Sequence, residues 1–201
     1  MELISEGEIG PDDRLVQEKL AAELDISRTP VREALLRMEQ EGVLVSANRG
    51  GFKLYRMDES EVRQLYQARA AIESQAARIL ASHYDAGSIA QLRATISREE
   101  AISSPSVRAY FEANRTIHRS FVELIDNVYL LEMFDNIWNR AVSYQLFATL
   151  DNVDLSNSLG DHMKLVDAIE SGDRTLATET CIEHITDGFN LQIAGLEAVR
   201  R

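Results

Sequence analysis

Along most of the chain the apolar residues recur at helical spacing, and in one short stretch they do not. Val16, Leu20 and Leu24 lie four apart, and Val31, Leu35 and Met38 form a second stripe of the same kind. After Gly42 the period drops to two. Val43, Val45, Phe52 and Leu54 alternate around "NRGG", a pattern that predicts two short strands and a turn. From Asp58 onward the helical period returns and no strand signal recurs. Helix, turn, helix, hairpin is the order of a winged helix-turn-helix. The fold class predicted is therefore mainly α: an N-terminal winged helix-turn-helix followed by an all-α antiparallel bundle of about six helices.

Local signals place the elements. Ser27 or Thr29 can cap the second helix, and Pro30 then falls in its first turn, where a missing N–H costs nothing. Asp58 and Glu61 form an Asp-x-x-Glu start ahead of Val62, Leu65, Tyr66, Ala70, Ile72, Ala76, Ile79 and Leu80. Further helices are predicted at about 88–102, 106–125, 127–149, 160–171 and 174–200. "SSPS", "DNVDLSNSLG" and "ESGD" are the breaks between them.

Charge divides the chain at the same place. The whole carries −12, yet residues 28–56 hold six basic against three acidic side chains, a local +3. Residues 58–201 hold 13 basic and 22 acidic ones, a net −9. Two domains are expected, 1–57 and 58–201. A pI near 4.8 argues against a general nucleic-acid or membrane binder but leaves room for one basic face. The single cysteine, Cys181, excludes an internal disulfide. No apolar run approaches the ~20 residues of a membrane span, so a soluble, cytoplasmic protein is expected.

Arg28 and Arg32 are four apart and share a face at the start of the second helix, opposite Val31 and Leu35. In a helix-turn-helix those positions meet base edges, and a guanidinium can bond guanine O6 and N7 together. Arg49 and Lys53, on or beside the hairpin, suit phosphate or minor-groove contact. The stretch "SRTPVREAL…EGVL" closely resembles the winged-helix signature of GntR-family bacterial transcriptional regulators. Downstream, "LYQARAAIE" resembles the opening helix of the FCD-type effector domain of its FadR-like branch. The resemblance implies a DNA-binding set of Arg28, Thr29, Arg32, Arg49, Gly50 and Lys53. It also implies a homodimer on a short palindromic operator in double-stranded DNA. Three departures stand out. Few residues precede "GEIGPDD", so the first helix is expected to be shortened, with Leu3, Ile4 and Ile9 left for its share of the core. Asp25 replaces a common helix-ending glycine, and Glu18 stands where relatives can carry a phosphate-binding arginine.

The chain has four histidines: His83, His118, His162 and His184. None pairs at a compact zinc-type spacing, and a lone helical histidine is more often structural than a ligand. Asn114 and His118 lie one turn apart and can converge, while His162 and His184 have apolar neighbours on later helices. FCD domains commonly bind a divalent metal through an acidic or amide residue one turn before a first histidine, plus two later histidines. The resemblance therefore implies Asn114, His118, His162 and His184 as ligands and leaves His83 outside. Zinc, nickel and manganese all suit three imidazoles. Aspartate is usual where Asn114 stands; a neutral amide weakens the metal but favours an anionic ligand beside it. Arg69, Arg140 and Tyr144 are the candidate effector-binding residues, the two arginines as a clamp for a small organic acid. Cys181 is expected in the core. The expected role is regulation rather than catalysis. A metal-dependent enzyme and a non-DNA-binding interaction module are the alternatives.

Overall fold

The computed structural model describes residues 13–40, 42–48, 50–101, 106–138 and 161–199. In chain order the elements are α1 (Gln17–Glu23), α2 (Arg28–Gln40), β1 (Leu44–Ser46), β2 (Phe52–Leu54) and α3 (Glu59–His83). There follow α4 (Ala86–Glu100), α5 (Val107–Glu123), α6 (Val128–Trp138), α7 (His162–Glu170) and α8 (Arg174–Val199). Leu3, Ile4 and Ile9, Arg49, and residues 139–160 with Arg140, Tyr144 and the second half of the helix predicted at 127–149 lie outside the described residues.

Between α1 and α2 the chain turns at Asp25, which takes the left-handed conformation with φ 52°. A short polar side chain is the best non-glycine choice for that geometry. Helix α2 begins at Arg28, so Ser27 precedes it, and Thr29 and Pro30 sit in its first turn. Val31 and Leu35 are buried, and together with Leu15, Ala21, Val43, Leu44 and Leu54 they form a small core of their own. Strands β1 and β2 pair antiparallel with Leu44 opposite Leu54 and Ser46 opposite Phe52. The alternation expected of the first strand holds only in part: Val43 and Leu44 are both buried, and Val45 is half-buried. Val43 lies ahead of the strand, its N–H donating to the carbonyl of Met38 at the end of α2.

Sequence patterning also missed a third partner of the hairpin. Leu15 exchanges two backbone hydrogen bonds with Phe52, at 2.8 and 2.9 Å, as an antiparallel bridge. Gly51 makes this possible. Its φ is +77°, and a Cβ there would lie 2.6 Å from the Leu15 carbonyl oxygen.

The predicted start of α3 is present as a capping box. Asp58 accepts from the Glu61 N–H at 2.8 Å, and Glu61 accepts from the Asp58 N–H at 2.9 Å. The Tyr55 hydroxyl at the end of the hairpin also donates to Glu61, tying the wing to this helix. Six helices, α3 to α8, form the bundle among the described residues. Helix α3 packs along α8 and also meets α5, α6 and α7, so it is the axial element. Val62, Leu80, Leu92, Ile96, Ile117, Val166 and Ile169 fill the interior. Trp138, Phe134, Phe111 and Tyr110 form an adjoining aromatic cluster. No helix of the described residues is long and apolar enough to cross a membrane.

Candidate metal centre and DNA-reading surface

Three helices bring the three predicted histidines together. Nε2 of His118 (α5) lies 3.3 Å from Nε2 of His162 (α7) and 3.3 Å from Nε2 of His184 (α8). His118 and His162 are 3% and 0% exposed, and His184 is partly buried. Asn114 is buried on α5 one turn before His118. His83 ends α3 and is exposed, away from the cluster. Cys181 is buried in the bundle core, and burial pushes its thiol pKa up.

The hydrogen-bond roles around these rings decide what the cluster can hold. Nδ1 of His118 is 2.5 Å from Oε2 of Glu73, and Nδ1 of His162 is 3.0 Å from Oε1 of Glu100. An ionised carboxylate only accepts, so a proton between either pair belongs to Nδ1, and Nε2 of the neutral ring then carries a lone pair. Burial, the largest influence, pushes the His118 pKa down to about 4 although Glu73 acts to raise it. Burial, then His118 and His162, push His184 down to about 2. With both rings neutral and each proton on Nδ1, two Nε2 lone pairs face each other across the His118–His162 contact. A cation at the common point resolves this. Metal–nitrogen bonds of about 2.0–2.1 Å at angles between octahedral and tetrahedral separate two ligand nitrogens by roughly 2.8–3.4 Å. The observed 3.3 Å falls in that range. The residues fit a divalent metal.

Arg69 stands next to this cluster on α3, 5% exposed. Its Nε donates to Oε1 of Glu73 at 2.9 Å, and its guanidinium lies 4.4 Å from the Trp138 ring centre and 4.8 Å from that of Tyr66. Burial alone would raise the Glu73 carboxyl pKa, but Arg69 and then His118 outweigh it and hold it well below the usual carboxylate range. With Nε committed, only the two Nη groups of Arg69 can meet a ligand. Trp138 stacks on His118, with ring centres 5.8 Å apart.

At the other end of the chain, Arg28, Thr29 and Arg32 are all exposed on α2, opposite the buried Val31 and Leu35. Gly50 and Lys53 are exposed at the wing. Glu18 does not stand apart from this surface, since its carboxylate is 3.4 Å from Nη1 of Arg28. Arg14 donates from Nε to the Gly50 carbonyl at 2.5 Å, holding the wing turn against the start of the domain.

Both parts of the chain match known protein families. Residues 64–187 match the FCD domain, and residues 1–54 match the bacterial regulatory proteins of the gntR family. The chain belongs to the GntR family, in the branch that carries an FCD domain. It is similar to a probable D-xylose utilization operon transcriptional repressor of Paenarthrobacter nicotinovorans, 28% identical over 83% of this chain and 74% of that one. The Uxu operon transcriptional regulator of Escherichia coli is 29% identical over 92% of this chain and 80% of its own. Among solved structures, a GntR transcriptional regulator from Rhodococcus sp. RHA1 shares the fold with a TM-score of 0.69. It is 20% identical, with 96% of this chain and 93% of that chain covered. This GntR regulator is thus not an enzyme: the matched domains and relatives are transcriptional regulators.

Glu73 and Glu100 were not singled out from sequence as parts of the site. For Glu73 a signal existed. Val62, Tyr66, Arg69, Glu73, Ala76 and Leu80 follow a strict heptad stripe on α3, all six are buried, and two of them are charged. A charged pair at core positions one turn apart marks a functional or structural polar network. Glu100, the last residue of α4, carries no comparable mark.

Proposed function

We propose that this GntR-family regulator is a cytoplasmic homodimer whose operator binding responds to a small organic acid bound beside a divalent metal. The reading divides the chain at 57/58, with residues 1–57 contacting DNA and 58–201 sensing the effector. The observation that carries it is the convergence of three imidazole Nε2 atoms, with a buried arginine one carboxylate away. His118, His162 and His184 would hold the metal, with Asn114 offering an amide oxygen. Zinc, nickel and manganese suit this donor set. The bound metal would supply a Lewis-acidic position open to an anionic oxygen. Asn114 in place of a carboxylate leaves that position more positive, which favours an acid there. The Nη groups of Arg69, with Arg140 and Tyr144, would take the rest of the effector.

Arg28, Thr29 and Arg32 would read bases of a short palindrome, while Arg49, Gly50 and Lys53 contact backbone. Regulation requires that the effector bind the DNA-competent and DNA-incompetent arrangements unequally, and its whole effect is bounded by that difference. Helix α3, capped at Asp58 next to the wing and carrying Arg69 and Glu73, is the direct covalent route between the two regions. The test is operator binding at fixed salt by the metal-free and zinc-loaded protein, with and without a panel of small carboxylic acids. Metal content is measured in parallel for the wild type and the variant with all three histidines replaced by alanine. Equal metal content in the two proteins removes the site, and operator affinity indifferent to every acid removes the sensor.

A further inference from the structure

We propose that Glu73 and Glu100 are positioning residues for the histidine cluster, each holding the Nδ1 proton of one imidazole so that Nε2 is presented to a cation. The inference rests on the metal reading above and extends it to two residues on helices, α3 and α4, that carry none of the histidines.

The geometry separates this role from mere charge balance. Glu73 uses its two oxygens for different partners: Oε1 accepts from Nε of Arg69 at 2.9 Å, and Oε2 lies 2.5 Å from Nδ1 of His118. All three side chains are at most 5% exposed. A buried ion pair by itself adds little stability over apolar residues of the same size. The third partner, on the free oxygen, gives this pair a task. Arg69 in turn is held between the Tyr66 and Trp138 rings, so the chain Arg69, Glu73, His118 is fixed at each link. Glu100 does the same for His162 from the end of α4, at 3.0 Å, and remains 20% exposed, needing no buried counter-charge. An imidazole whose Nδ1 proton is pinned by a carboxylate has one tautomer and one ring orientation, and its Nε2 is the more basic for it. Without those acceptors each ring can take the other tautomer, with Nε2–H pointing at its neighbours and unable to ligate.

Two measurements test it. Long-range proton–nitrogen NMR of the imidazoles at pH 7 in metal-free protein reads the tautomers directly, and competition with a chromophoric chelator reads zinc affinity. In the wild type, His118 and His162 should both carry the proton on Nδ1. Glu100→Gln should admit the other tautomer at His162 and weaken zinc on the order of 10–100-fold, while the thermal midpoint of the metal-free protein stays unchanged. The double variant Arg69→Met with Glu73→Gln, which leaves no unpaired buried charge, should admit the other tautomer at His118 and weaken zinc by a similar factor. The Nε2–H tautomer at both rings of the wild type, or zinc affinity within twofold of wild type in both variants, overturns the proposal. A wild type that takes up no zinc overturns the metal reading instead, and the tautomers of the metal-free protein then decide this one.

Discussion

Glu73→Gln in chelator-treated protein should cost far more than an ordinary surface substitution. The carboxylate is 3% exposed and Arg69 is 5% exposed, so both charges are effectively out of water. The ion pair at 2.9 Å is the counter-charge of the guanidinium, and the Tyr66 and Trp138 faces remain after the substitution. Breaking a buried pair by removing one partner typically costs about 3–5 kcal/mol, because the other charge stays buried without compensation. Against a typical domain stability of about 5–15 kcal/mol, that is a large fraction. Removing both charges, with Arg69→Met added, should recover part of the loss. Urea unfolding followed by tryptophan fluorescence suits the question, because the chain has one tryptophan and it lies against Arg69 and stacks on His118. A Glu73→Gln midpoint corresponding to less than about 1 kcal/mol, or a double variant less stable than Glu73→Gln, would refute the idea that Arg69 depends on this carboxylate.

Arg32→Ala should weaken operator binding by about 1–3 kcal/mol at matched salt while leaving non-specific binding less affected, measured by fluorescence anisotropy on the two DNAs. Gly51→Ala should destabilise the N-terminal region by about 2 kcal/mol or more, and more than Gly50→Ala, because only at Gly51 would a Cβ meet backbone at 2.6 Å. Faster exchange of the Leu15 and Phe52 amides in Gly51→Ala, and not in Gly50→Ala, is the readout. Stability of the metal-free protein should fall as pH drops below about 6.5. The unfolded chain takes up protons on His118 and His184 there, whereas burial holds the folded pKa values at about 4 and about 2. Urea unfolding between pH 7.5 and 4.5 measures this, and a flat profile contradicts it. Asn114→Asp should tighten zinc, since it supplies a charged oxygen, and a chelator competition that shows no gain would remove Asn114 from the ligand set.

What could be read from residues alone follows from short-range chemistry. The single change of apolar period after Gly42, the Asp58–Glu61 capping box and the apolar stripe through Val31 and Leu35 depend on neighbours a few positions away. They locate the hairpin, the start of α3 and the buried face of α2 without knowledge of the rest. The phase of α3 even held a sign of the site, in Arg69 and Glu73 at core positions. Pattern matching to the FCD motif likewise picked out His118, His162 and His184, but their spacing of 44 and 22 residues says nothing about distance in space. Tertiary packing decided the remainder. Only the meeting of α5, α7 and α8 sets the Nε2 atoms of His162 and His184 each 3.3 Å from that of His118, and only the approach of α3 and α4 puts a carboxylate beside each of two Nδ1 atoms. Leu15 joined the hairpin, and Glu18 reached Arg28, for the same reason. A tautomer, a depressed imidazole pKa and a counter-charge are properties of a buried environment assembled from distant segments, so no local stretch of the chain can encode them.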